Sequence, residues 1–121
     1  MTSKPTILVI DDNPLQREII KNILVTANYD VALAEESLEA VMVIAQQEIS
    51  LILLDIEMPT VNGFQLKKFL TRKKIDIPVI FLSSHSGMGI QLMGDVLGAV
   101  NFLTKPIDPT KLLAEIEAIL P

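Results

Sequence analysis

The sequence predicts an α/β fold: a doubly wound, five-stranded parallel sheet with helices on both faces. Three observations point there. Five short apolar segments alternate with five segments of helical periodicity, the apolar segments lack strict alternation, and four of the five end on residues that can do chemistry. The clearest is Leu51-Ile52-Leu53-Leu54-Asp55, four large apolar residues ending on a carboxylate. Periodicity alone would also fit a buried helix, but the length suits a strand covered on both sides. Open parallel sheets work in the crevice outside their strand carboxyl ends, which is where Asp55 would stand. Ile56-Glu57-Met58-Pro59 and Asn62-Gly63 mark the loop that follows.

The elements follow in order. Thr6 to Ile10 forms the first strand and stops on Asp11-Asp12. Asn13-Pro14 offers a cap and a first-turn proline to a helix whose face carries Leu15, Ile19, Ile20, Ile23 and Leu24. Asn28 and Asp30 break that pattern before a short strand, Val31 to Ala34. Glu36 or Ser37 opens a second helix with Leu38, Val41, Met42 and Ala45 on one face. After the organising strand, Phe64, Leu66, Phe69 and Leu70 give a third helix, and Val79 to Leu82 a fourth strand ending on Ser83-Ser84. Ile90, Met93, Val96 and Leu97 suggest a fourth helix, softened by Gly87, Gly89 and Gly94, since an interior glycine costs roughly 1 kcal/mol against alanine. The last strand, Val100 to Leu103, runs to Lys105-Pro106, and Asp108-Pro109 starts a fifth helix with Leu112, Leu113, Ile116, Ile119 and Leu120 on one side.

Composition limits the function. A length of 121 residues suits one domain, 1–121, with a sizeable core. Half the residues are hydrophobic, yet no apolar run approaches the roughly 18 needed to span a membrane, and Met1-Thr2-Ser3-Lys4-Pro5 contains no signal-peptide pattern, so a cytoplasmic location and no membrane partner are expected. Without cysteine there is no disulfide, thiol nucleophile or zinc-thiolate site, and the single histidine excludes most histidine-based metal sites. The net charge of -5 and the scattered basic residues argue against direct nucleic-acid binding. Lys67-Lys68 and Arg72-Lys73-Lys74 read as the solvated end of a helix.

Parallel strands place Asp11-Asp12, Asp55, Ser83 and Lys105 on one edge of the sheet. Taken singly, the aspartates read as turn or cap residues, Ser83 as a cap and Lys105 as a surface lysine. Together they describe a site. Clustered carboxylates repel, and a hard cation such as Mg²⁺, or Mn²⁺ in its place, resolves the conflict with oxygen ligands. A carboxylate beside such a cation can act as a nucleophile and form an acyl phosphate, while Lys105 stabilises charge on the phosphoryl oxygens and Ser83 supplies a hydrogen bond. Glu57 and His85 fall on loops that rim this site, and Met58, Met88 and Met93 read as packing.

The whole chain resembles the receiver domain of two-component response regulators, the CheY-like fold. The resemblance rests on Asp11-Asp12, on Asp55 in Asp-Ile-Glu-Met-Pro followed by Asn62-Gly63, on Ser83-Ser84, and on Gly98-Ala99-Val100-Asn101-Phe102-Leu103-Thr104-Lys105-Pro106. It implies strand order 2-1-3-4-5. It further implies that Asp55 accepts a phosphoryl group from a histidine kinase or histidine phosphotransfer protein. Asp12, Asp55 and the backbone carbonyl of Glu57 would hold Mg²⁺, with Asp11 acting through water. Lys105 would pair with the phosphoryl group, and the Lys105-Pro106 peptide would be cis. Ser83 would move to the new phosphoryl oxygen, Phe102 would turn inward, and the fourth helix, fifth strand and fifth helix would present the output face to a protein target. Such a chain is not an enzyme in the ordinary sense, catalysing only its own phosphorylation and dephosphorylation.

Asn62, Ser84 and Asn101 are mild departures from the usual aspartate, alanine and aspartate. Glu57 and His85 are expected to set the acyl-phosphate lifetime, and the glycine-bearing fourth helix to be partly disordered before phosphorylation. Three other readings compete: an aspartate-nucleophile phosphohydrolase of the haloacid dehalogenase type, disfavoured because Glu57 stands where that family has a second aspartate; a phosphorylation-independent pseudo-receiver; and the detached receiver of a larger transcription factor or hybrid kinase.

Overall fold

The computed structural model describes residues 4–58, 62–84, 92–93 and 96–120. Its elements are β1 (Thr6–Ile10), α1 (Pro14–Thr26), β2 (Asp30–Ala34), α2 (Ser37–Gln46), β3 (Leu51–Asp55), α3 (Gly63–Arg72), β4 (Val79–Ser83), β5 (Asn101–Thr104) and α4 (Pro109–Ile119). The strands form one parallel sheet in the order β2-β1-β3-β4-β5. The doubly wound expectation therefore holds for the sheet. Four helices are described rather than five, because the expected fourth is interrupted by residues 90–91 and 94–95, which lie outside the described residues. Leu92, Met93 and Val96 are helical, and the Leu97 N–H donates to the Met93 carbonyl at 3.0 Å. Pro59, His85, Gly87, Met88, Gly89 and Gly94 also lie outside the described residues.

The central strands are apolar on both faces because each face has a core. Ile7, Val9, Leu51, Leu53, Ile80 and Leu82 pack against Ile20 and Leu24 of α1 and Leu112 and Ile116 of α4. Leu8, Ile10, Ile52, Leu54, Val79 and Phe81 pack against Ala40 of α2 and Leu66 and Leu70 of α3. The Phe64 ring meets Phe81 edge-on at 5.0 Å.

Local chemistry sets the helix starts. The Asn13 side chain accepts from the Leu15 and Gln16 N–H groups with Pro14 following, and the Asp108 side chain accepts from Thr110 and Lys111 ahead of Pro109's helix. Asn62 and Gln65 form a reciprocal capping box on α3. Glu36 precedes α2 without a side-chain cap bond. Asn28, at φ 72°, takes the left-handed conformation that ends α1.

The apolar face expected for α2 needs correction. Leu38 and Met42 are exposed, as is Ala45, whereas Ser37 and Ala40 are buried and Val41, Val43 and Ile44 pack on the core. The buried positions of this helix are held by small residues, so side-chain size misleads about which stripe faces inward. Leu15 and Ile19 of α1 are likewise exposed, leaving Ile20 and Leu24 as its buried anchors.

Candidate functional site

Asp11 leaves β1 directly into the sheet edge and is fully buried, while its neighbour Asp12 is exposed. Its Oδ1 accepts the Asn13 N–H at 2.9 Å and its Oδ2 lies 3.0 Å from Lys105 Nζ. Its carbonyl accepts from Arg17 Nη1 at 2.7 Å, and the same guanidinium reaches Glu35 at 3.7 Å. The first turn of α1 thus fixes the loop that carries both aspartates.

Asp55 is the last residue of β3 and only 2% exposed. Its Oδ1 accepts the Glu57 N–H at 2.9 Å, and its Oδ2 lies 3.4 Å from Lys105 Nζ. The following chain is pinned by Gly63, whose N–H donates to the Ile56 carbonyl. A Cβ on Gly63 would stand 2.7 Å from both the Asp55 carbonyl oxygen and Ile56 Cα, so α3 can begin this close to the acidic strand end only on a glycine. Lys105 follows β5; its N–H donates to the Ser83 carbonyl at 2.7 Å, and the Lys105–Pro106 peptide is cis.

One ammonium therefore serves two buried carboxylates. Burial raises the Asp55 pKa, the Glu57 N–H opposes this, the Asp11 charge raises it further, and Lys105 pulls it back without restoring the ordinary value. Burial by itself would lower the Lys105 pKa, but its bond to Asp11 and the charges of Asp11 and Asp55 outweigh that and raise it. Carboxylate oxygens of Asp11, Asp12 and Asp55 lie within 4.8 Å of one another. With no thiolate or imidazole among these three residues, an all-oxygen donor set of this kind suits a hard divalent cation.

Across the cleft stands a different arrangement. Glu57 Oε1 accepts from the Ser83 hydroxyl at 2.6 Å and the Ser84 N–H at 2.7 Å, and Oε2 accepts from the Ser84 hydroxyl at 3.1 Å. Ser83 is fully buried beneath it. Asp11, Asp12, Asp55, Glu57, Ser84 and Lys105 line one open cleft of about 450 Å³, together with Asn13, Gln16 and Pro106.

The fold thus gathers the strand-end residues singled out in the sequence. Phe102 stays outside the cleft: it is half-buried, in register with Phe81, and packs on the core beneath α2 and α3. His85 lies outside the described residues. Arg17 and the side-chain contacts of Glu57 were not anticipated. Arg17 is six residues from Asp11, and Glu57 is 26 and 27 residues from its serine partners, so only the folded chain joins them.

The family model for the response regulator receiver domain matches residues 7–117. The chain belongs to this family. Among its curated relatives are the phosphate regulon transcriptional regulatory protein PhoB of Pseudomonas aeruginosa, 36% identical over 95% of this chain and 51% of that protein, and the DNA-binding dual master transcriptional regulator RpaA of Synechocystis sp., 35% identical over 96% and 49%. This receiver spans about half the length of such relatives. Its fold also matches the chemotaxis protein CheY4 of Vibrio cholerae with a TM-score of 0.91 and 25% identity, covering 98% of this chain and all of the other. It is a two-component signalling domain rather than a classical enzyme, which removes the phosphohydrolase reading. Among the described residues no helix is long and apolar enough to cross a membrane.

Proposed function

We propose that Asp55 is the phosphoacceptor of a single receiver domain, residues 1–121, that works in the cytoplasm. The observation that carries this is its position: a buried carboxylate at a strand end, 3.4 Å from Lys105 Nζ and grouped with the oxygens of Asp11 and Asp12. A carboxylate oxygen of Asp55 forms the O–P bond as the N–P bond of a phosphohistidine breaks, and the imidazole nitrogen keeps the electron pair and takes up a proton. The donor is a histidine kinase or histidine phosphotransfer protein.

Asp12, Asp55 and the Glu57 carbonyl would hold Mg²⁺ or Mn²⁺, with Asp11 acting through water, and the ion would supply positive charge to shield the phosphoryl oxygens. Lys105 pairs with the transferred group, and Ser83 moves to bond one of its oxygens while Phe102 turns inward. Four exposed apolar residues on the approach to β5, Leu92, Met93, Val96 and Val100, support an output face formed by the helical segment before β5, by β5 and by α4. There a protein target binds; the receiver itself contacts no nucleic acid or membrane.

The regulatory names of the relatives, and their double length, favour one second reading, in which the same switch governs an attached output domain of a longer transcription factor.

Intact mass after incubation with acetyl phosphate and Mg²⁺ tests the first reading. One base-labile phosphoryl addition is expected, absent from Asp55→Asn and without added metal. A folded, metal-binding protein that gains no mass would make the chain a pseudo-receiver.

A further inference from the structure

The Glu57 side chain makes contacts that phosphoryl acceptance does not require. It crosses from the end of β3 to the end of β4, where two hydroxyls and one backbone N–H converge on it. Three donors aimed at one point make an anion site, and here the chain's own carboxylate fills it. The bond from Ser83, at 2.6 Å, falls in the short range of charge-assisted O–H···O⁻ bonds, which are roughly twice as strong as neutral ones.

A serine hydroxyl has one proton to give. While Ser83 donates it to Glu57, it cannot donate it to a phosphoryl oxygen. Both acceptors are anions in one cleft, since Glu57 and Asp55 line it together and a phosphoryl group brings about -1.5 to -2 charge. They compete for the same donor.

We propose that Glu57 is a resting-state latch, its carboxylate holding Ser83 and Ser84 until a phosphoryl group on Asp55 displaces it. This rests on the phosphoacceptor reading of Asp55. Glu57 acts through the two serines, so it is a positioning residue rather than a catalytic one. The latch sets how strongly the active arrangement is disfavoured before phosphorylation, a quantity separate from the rate at which an acyl phosphate hydrolyses.

The test uses beryllofluoride, a noncovalent phosphoryl analogue, titrated at saturating Mg²⁺ into the full chain and followed by the backbone amide resonance of Ser84. Glu57→Ala and Glu57→Gln are expected to bind it roughly tenfold tighter than the parent, a change equivalent to about 1.4 kcal/mol. Ser84→Ala keeps the Glu57 charge but removes one of its three donors, and should show a smaller gain in the same direction. In metal-free, beryllofluoride-free protein, the Ser84 amide of Glu57→Ala should already lie shifted toward its position in the beryllofluoride-bound parent.

Equal or weaker binding by both Glu57 variants overturns the latch. So does a gain confined to the Glu57 variants with none in Ser84→Ala, which would assign the effect to net charge alone. A parent that binds no beryllofluoride, or an Asp55→Asn variant that binds as the parent does, is a distinct pattern; it removes the phosphoacceptor reading and the latch with it. Should Glu57→Ala fail to fold, Glu57→Gln carries the comparison.

Discussion

The two sides of the cleft hold their negative charge in opposite ways. On one side Asp11 and Asp55 share the Lys105 ammonium and Asp12 adds a third carboxylate to the group, so three acidic side chains cluster around one cation. On the other a single carboxylate, Glu57, is met by neutral donors from Ser83 and Ser84. The first side has charge left uncompensated, which is what a site awaiting a cation requires; the second has its acceptor already engaged and must rearrange to receive another anion. Under the proposed function, loading and switching would fall to different residues within one cleft.

The comparison breaks most visibly at Lys105. Lys105→Met leaves the buried Asp11 and Asp55 facing each other without their shared cation, and removing one partner of a buried pair costs about 3–5 kcal/mol. A loss of about 3 kcal/mol is expected in urea unfolding, partly recovered by millimolar Mg²⁺. Ser83→Ala on the other side removes one hydrogen-bond donor from a carboxylate that keeps Ser84, and should cost only about 1–2 kcal/mol. A Ser83→Ala loss as large as that of Lys105→Met would mean that the hydroxyl side, not the charged side, dominates the stability of the cleft.

Gly63 tests the floor beneath both sides. The added Cβ of Gly63→Ala meets backbone at Asp55 and Ile56, which cannot rotate away, so the start of α3 must shift. Overpacking of this kind costs typically 1–3 kcal/mol, and about 2 kcal/mol is expected. Because the backbone pressed on at Asp55 and Ile56 leads directly into the Glu57 N–H that bonds Asp55, the phosphorylation rate with acetyl phosphate should fall as well. Unchanged stability would show that the helix start is softer than the close approach implies.

Much of this was legible before folding. A run such as Leu51 to Leu54 can be apolar on both faces only if both faces are covered, and parallel strands must bring Asp11, Asp55, Ser83 and Lys105 to one edge. What was not legible depends on distances that no local pattern encodes. The inward stripe of α2 includes the small Ser37 and Ala40, so the larger but exposed Leu38 and Met42 misdirect a reading by hydrophobicity. The side-chain bonds of Glu57 are long-range. The neighbours of Glu57 in sequence mark only a loop residue on the rim, and the β3–β4 pairing is what brings its serine partners alongside.

Asp55→Asn gives the smallest stability effect and the sharpest sign. In the fold the Asp55 pKa lies above its usual 3.8, chiefly because burial penalises the charged form and the Asp11 charge adds to that. The folded chain therefore retains a proton at pH values where the unfolded chain has released it. Stability from this group is greatest below 3.8, declines as pH rises through the window up to the raised folded value, and stays diminished above it. Asparagine carries no such deficit. In metal-free buffer at neutral pH, Asp55→Asn should be the more stable protein, read as a higher Tm than the parent's. Its advantage should vanish as the pH is lowered below that window. Adding Mg²⁺ should also erase it, since a bound cation stabilises the carboxylate and not the amide. A variant less stable than the parent at neutral pH without metal would mean that Lys105 compensates both buried carboxylates in full, and that this side of the cleft has no charge left for a cation to neutralise.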